Sequence, residues 1–253
     1  MRIGYSLSGG GARGIAHLGI MKVLEENGIR PHMIAGVSAG SIIGAFYASG
    51  FSPDEILKII VDARLIRILR PAFSLKGILS LENTDPFFRR YMGDDSFEKL
   101  KLPLVINAVN LRSGTSRYFS TGSLIQTVLA SCAIPAVFKP VKIDGELYVD
   151  GGVLDNLPVK PLEGKCDHII GFHCNPVDPE FTSKNMKNII ERTFILVINT
   201  NVAMSKPVCG VFLEPGELKK FGAFDFDKAK EIFEVGYEYG RSIIPEIKSR
   251  LHI

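Results

Sequence analysis

Two periods run through the pattern of apolar and polar positions. Residues 2–8 alternate as a short strand, and Gly9-Gly10-Gly11 interrupts it. Residues 12–27 then carry Ile15, Leu18, Met21 and Leu24 at helical spacing, with Gly28 as the stop. The same unit follows again: a strand over 32–37, a glycine turn, and a helix over 41–49 ending at Gly50. Strand, glycine turn and helix, repeated, predict a parallel sheet flanked by helices.

The pattern continues with an amphipathic helix over 54–69, opened by Pro53 and Asp54. An irregular stretch over 71–101 holds Phe73, Leu75, Phe87, Phe88 and Tyr91 among polar residues. A strand is predicted over 104–110 with a hairpin partner at 116–120, then a helix over 123–132. Residues 142–144 and 146–149 form a hairpin across Asp144-Gly145, a favoured two-residue turn. Residues 168–174 read as an apolar strand. Residues 185–201 read as a helix, although 194–198 alone suits a strand. A strand over 208–213 precedes a helix over 227–251, which Pro245 is expected to break. No repeat or low-complexity segment interrupts this order, so the 253 residues are expected to form one domain.

Composition narrows the function. With 30 basic and 27 acidic residues the net charge is +3, and no basic cluster with interleaved aromatics appears, which argues against a nucleic-acid partner. The cysteines at 132, 166, 174 and 209 form no C-x-x-C pair. Cys166 and Cys174 flank His168 and His173, but this loose spacing in an apolar strand suits core residues better than metal ligands. Met1-Arg2 leads straight into a strand without an apolar leader, and no apolar run approaches the roughly 20 residues that span a bilayer. A cytoplasmic protein is expected.

Gly36-Val37-Ser38-Ala39-Gly40 matches G-x-S-x-G between a strand and a helix, the context of a nucleophile elbow. Ser8 to Gly14 reads S-G-G-G-A-R-G at the other strand-to-helix turn. Consecutive glycines let backbone N–H groups converge on one anion, as an acyl-transfer oxyanion requires. Gly9, Gly11 and Gly14 also match the dinucleotide fingerprint G-x-G-x-x-G. That rival wants an acid at the end of the second strand, and residues 32–37 contain none.

A base is then needed. His17 falls inside the first helix, His32 begins a strand, His168 and His173 lie in or beside an apolar strand, and His252 is near the end. No histidine stands at an obvious catalytic loop. Asp150 ends a strand and is followed by Gly151-Gly152, which allow close approach. Asp144 is explained by its turn. Asp155 leads into Asn156-Leu157-Pro158 and is a third candidate.

The blocks Gly-Gly-Gly-Ala-Arg-Gly at 9–14, Gly-Val-Ser-Ala-Gly at 36–40 and Asp-Gly-Gly at 150–152 together resemble the signatures of patatin-like phospholipases. So does the run from Ala130 to Pro140 between the last two. The resemblance implies a three-layer α/β/α sandwich with a mostly parallel central sheet. It also implies a Ser–Asp dyad in place of a triad: Ser38 as nucleophile, Asp150 as base, Gly9, Gly10 and Gly11 as oxyanion hole, and Arg13 in support. His17 matches a frequent structural position. The expected activity is hydrolysis of lipid carboxylic esters through an acyl-enzyme, without metal or organic cofactor, on a lipid substrate met by peripheral membrane contact. An acyltransferase using the same acyl-enzyme, and a nucleotide-binding protein using the glycine loop, are the alternatives. Residues 53–91 are expected to line or cover the acyl site as a lid.

Overall fold

The computed structural model describes residues 1–62, 85–183 and 185–253. Its strands are β1 (Ile3–Leu7), β2 (Met33–Gly36), β3 (Leu104–Asn110), β4 (Thr115–Phe119), β5 (Val141–Ile143), β6 (Glu146–Asp150), β7 (His168–Phe172) and β8 (Val211–Leu213). Its helices are α1 (Ala16–Glu26), α2 (Ala39–Ser49), α3 (Pro53–Asp62), α4 (Asp85–Met92), α5 (Leu124–Ser131), α6 (Met186–Ser205) and α7 (Ala229–Leu251).

Among the described residues these strands make one sheet in the order β5-β6-β3-β2-β1-β7-β8, with β4 also paired to β3. The run β3-β2-β1-β7-β8 is parallel, while β4, β5 and β6 join antiparallel. Every residue of β1 and β3 is buried, as expected of strands covered on both faces. Successive residues serve opposite faces. Ile34, Leu104, Ile106 and Ile170 join the large core under α1, α2, α5 and α7, whereas Ala35, Val105 and Ile169 join a smaller one under Leu157, Leu162 and Val202 of α6. The result is three layers, helix, sheet and helix.

The chain steps from β1 to β2 to β3 and later returns to β7 on the other side of β1. A parallel sheet opens a crevice at the carboxyl ends of strands where the winding reverses. The glycine loop after β1 and the Ser38 turn after β2 both stand there. The register carries Asp150 to the same level. Gly36 pairs Ile106, and Asp150 pairs Ala108, so Asp150 and Ser38 each lie two positions beyond the last β2–β3 pair.

The hairpin turn has Asp144 at φ 49° and Gly145 at φ 86°, the left-handed pair of a type I′ turn. Three expectations need correction. The helix expected from residue 12 begins at Ala16, because Gly11–Ile15 is a tighter 3₁₀ turn pinned by Ala12 N–H to the Ala223 carbonyl at 2.8 Å. Within the stretch read as irregular, Asp85–Met92 is helical: Phe88 and Met92, four residues apart, are buried in the core against rings such as Phe46. Pro245 does not break the last helix. It sits on an exposed face, where water can serve the carbonyl its missing N–H abandons, while Ile247 and Leu251 hold the helix to the core. α7 lies along α1 so closely that a methyl group on Gly19 or Gly236 would collide with the carbonyls of Phe233 and Ala16 respectively.

Candidate active site

Ser38 precedes the first turn of α2 with φ 51° and ψ −124°, a backbone region that non-glycine residues avoid at a cost of roughly 1–3 kcal/mol. Three contacts hold it there. Its N–H donates to the Ser131 hydroxyl at 2.8 Å, that hydroxyl donates to the Asn107 carbonyl at 2.7 Å, and the Ser41 hydroxyl donates to the Ser38 carbonyl at 2.7 Å. Gly40 permits the elbow, since a methyl group there would strike the Leu7 and Ser8 carbonyls at the end of β1. The side chain is thereby presented at the positive end of α2.

Asp150 is buried at the end of β6, with one carboxylate oxygen accepting the Gly152 N–H at 2.8 Å. Burial pushes its carboxyl up to about 6, against the opposing pull of the nearby Ser38 hydroxyl and of the Gly152 N–H. Asn107 fixes the turn that follows, donating from Nδ2 to the Gly151 and Asp155 carbonyls at 3.1 and 2.9 Å. Asp155 is occupied elsewhere, accepting the Tyr118 hydroxyl at 2.7 Å. Asp144 is exposed in its turn.

The loop Gly9–Gly11 faces Ser38. Its carbonyl at Gly9 accepts from Asn175 Nδ2 at 2.7 Å, Asn156 Nδ2 at 3.3 Å and the Cys174 thiol at 3.3 Å. Because a trans peptide sets C=O and N–H in opposite directions, fixing that carbonyl also aims the Gly10 N–H. The amides of Gly9, Gly10 and Gly11 have no acceptor among the described residues. Gly11 adopts φ 59°, which glycine tolerates best.

Arg13 is buried rather than a helix-surface charge. Its guanidinium donates to the Phe221 carbonyl at 2.7 Å, to Asn175 Oδ1 at 3.3 Å and to Glu191 Oε1 at 3.2 Å. It therefore braces the asparagine that holds the Gly9 carbonyl. His17 lies beneath the loop with Nε2 3.1 Å from the Ser8 carbonyl, and burial lowers its pKa to about 4. His173 is likewise lowered to about 4 by burial, and pairs with Asn199 at 3.2 Å.

A cavity of about 360 Å³ joins these groups. Gly9, Gly10, Gly11, Arg13, Ser38 and Asp150 all line it, and no histidine does. Its apolar walls come from Ile134–Val137 and from Phe194, Ile195 and Ile198 of α6. Of the expected lid, residues 63–84 lie outside the described residues, and none of the described remainder lines the cavity. The sequence alone had not pointed to Ser131, Asn107, Asn156 or Asn175. Asn156 sits beside an acid already weighed, but a lone amide or hydroxyl carries no local pattern.

A family model for patatin-like phospholipases matches residues 5–163, and the chain belongs to that family. An uncharacterised NTE family protein of Mycobacterium tuberculosis is 38% identical over 166 residues, covering 64% of this chain and 46% of the relative. Lysophospholipase NTE1 of Saccharomyces cerevisiae is 28% identical over 271 residues, covering 94% of this chain and 16% of the relative. The chain thus spans less than half the length of these curated relatives. Among solved structures, VipD from Legionella pneumophila superposes with a TM-score of 0.57 at 16% identity, over 97% of this chain and 67% of that one, which is a likeness of fold.

Proposed function

We propose that the protein is a serine acyl hydrolase that cleaves carboxylic esters of lipids, of the lysophospholipase type that its yeast relative is named for. The observation that carries this reading is that a strained Ser38 and a buried, proton-avid Asp150 line the same apolar cavity. With a pKa near 6, Asp150 is ionised at neutral pH yet a stronger base than an ordinary aspartate. It takes the Ser38 proton as the hydroxyl attacks the ester carbonyl. The oxyanion forms against the unpaired amides of the Gly9–Gly11 loop. The alcohol leaves with the proton from Asp150. Water, deprotonated in turn by Asp150, attacks the acyl carbon and releases the fatty acid, and the proton held by Asp150 returns to Ser38 Oγ. The apolar walls suit an acyl chain, and a volume of about 360 Å³ falls within the range of small-ligand pockets.

Incubation with a fluorophosphonate probe and a panel of esters of varied chain length tests this. Labelling is expected on Ser38, and Ser38→Ala should lose both labelling and hydrolysis, the latter by about a thousandfold or more. Labelling that persists in the variant, or maps to another serine, overturns the assignment. An added alcohol that captures most of the acyl group would instead favour an acyltransferase.

A further inference from the structure

Helix α6 is apolar on its outer side as well as on its inner one. Met186, Ile189, Ile190, Leu196, Val197 and Met204 are all exposed, Met186, Ile190 and Met204 to 68%, 64% and 79%. At helical spacing these positions, with Thr193 and Thr200 among them, form one stripe along the 20-residue helix. The polar residues point the other way. Glu191 accepts from Arg13 and from the Ala223 N–H, Asn199 donates to the Asn175 carbonyl, and Asn201 donates to the Gly152 carbonyl. A surface helix normally turns a polar face to water, and a contiguous exposed apolar stripe marks a contact surface. Ile190 belongs both to the stripe and to the lining of the Ser38 cavity, so the two are continuous.

The flanks say what the stripe meets. No acidic side chain lies on the stripe. Arg13, Arg192, Lys219 and Lys220 share a depression beside α6 with the two carboxylates Asp178 and Glu191 and with Phe181, whose exposed ring carries the Arg192 guanidinium at 5.1 Å. Among the described residues neither Arg192 nor Lys219 has an ion-pair partner. An apolar stripe bordered by an excess of cations complements an anionic lipid surface. No helix among the described residues is long and apolar enough to cross a membrane, so such a contact lies in the interface plane. We propose that α6 is the membrane-docking surface, its outer stripe seated at the headgroup–acyl boundary of an anionic bilayer and its inner face forming the wall of the acyl cavity. This rests on the reading of the chain as a lipid acyl hydrolase. A lipid withdrawn from the bilayer then reaches Ser38 along one helix without crossing water.

The test separates docking from catalysis by using Ser38→Ala protein in flotation with vesicles of phosphatidylglycerol and phosphatidylcholine. Binding is expected, weakening as salt rises. Adding Leu196→Glu and Val197→Glu should lower vesicle partitioning about tenfold or more. In the active background the same pair should leave hydrolysis of a water-soluble short-chain ester within about twofold, because surface changes away from the site cost little. Circular dichroism checks folding, and the milder pair Ile189→Gln and Met204→Gln serves if the acidic pair unfolds. Vesicle binding that is absent in the parent or unchanged in the variants overturns the proposal. So does a parent that is dimeric, fails to float, and becomes monomeric on substitution, which makes the stripe a contact between copies. Vesicle binding as expected, with no ester hydrolysed by the active protein, would leave docking standing and remove the hydrolase reading.

Discussion

The turn after β1 and the turn after β2 stand side by side, both rich in glycine and both leading into a helix, yet they are built to opposite ends. The second turn is tied from every side: the Ser38 N–H and carbonyl each have a hydroxyl partner, and its dihedral strain is held by α5 and β3 through Ser131 and Asn107. The first turn leaves its amides unpaired while its Gly9 carbonyl is gripped from behind by Asn156 and Asn175. One turn fixes a side chain, and the other fixes a set of vacant donors. Strain and vacancy are both unfavourable alone, and both are tolerated because neighbouring strands and buried amides over-determine the geometry. In the proposed reaction the nucleophile and the oxyanion donors stay at a spacing set by the sheet, since β1 and β2 are hydrogen-bonded neighbours.

Removing the base should break the arrangement most severely. Asp150→Asn is expected to lower turnover by about a thousandfold or more, with the fold retained. The accompanying stability change has a defined sign. The folded-state pKa is raised to about 6, so between the ordinary carboxylate value of about 3.9 and about 6 the folded protein keeps a proton that the unfolded chain has released. The wild type therefore loses stability as pH rises through that window. Asparagine escapes the loss, so the variant should melt at or above the wild-type temperature at pH 7–8, the gap closing as pH falls through about 4. In the active enzyme, kcat/KM should rise through a limb near pH 6. Hydrolysis within a few-fold of wild type would return attention to Asp155.

Gly9→Ala attacks the other turn. The added methyl group would sit 2.8 Å from Ser38 Cβ and 2.7 Å from Asn156 Oδ1, so the loop must shift away from the elbow. A loss of about a hundredfold in kcat is expected, the size typical of a displaced oxyanion donor. Steady-state kinetics on a short ester should show it in kcat more than KM. A full-speed variant would mean that the vacant amides do not serve the transition state. The smallest effect is expected from the histidines. His168→Gln and His173→Gln, measured separately and corrected for folded fraction by circular dichroism, should each keep about a tenth or more of wild-type turnover, against losses of about ten-thousandfold when a triad is disabled. A folded variant with a loss of three orders of magnitude would restore a histidine base.

Much of this was legible before any coordinates, for physical reasons that also explain the gaps. β1 and β2 are legible because each is a short strand closed by a glycine turn and followed by a helical period. Ser38, the glycine loop and Asp150 are legible because turn chemistry is local: glycine placement and the residue at its tip lie within a few positions. Ser131, Asn107, Asn156 and Asn175 were not, because their meaning lies in partners far along the chain, as with Asn175 and Gly9. The role of α6 was hidden differently. Its period reads as helix, but no local signal says that its apolar stripe faces outward. Pro245 misled because proline's cost depends on whether water reaches the abandoned carbonyl, which is a property of tertiary structure.

The seam between α1 and α7 has a consequence for how the molecule is made. Gly19 and Gly236 lie far apart in the sequence, and their helices approach until backbone meets backbone, with Ile20 and Val23 of α1 covering Gly240. A ribosome delivers α1 well before α7. Until then the nascent chain must carry Ile20 and Val23 without their final cover, while β1 also waits for β7. Contacts of such long sequence separation slow folding and prolong the exposure of sticky surface. Helix α7 thus works as a latch: a nascent chain halted before residue 229 would display the apolar side of α1 to chaperones until Ala229–Leu251 emerged to cover it.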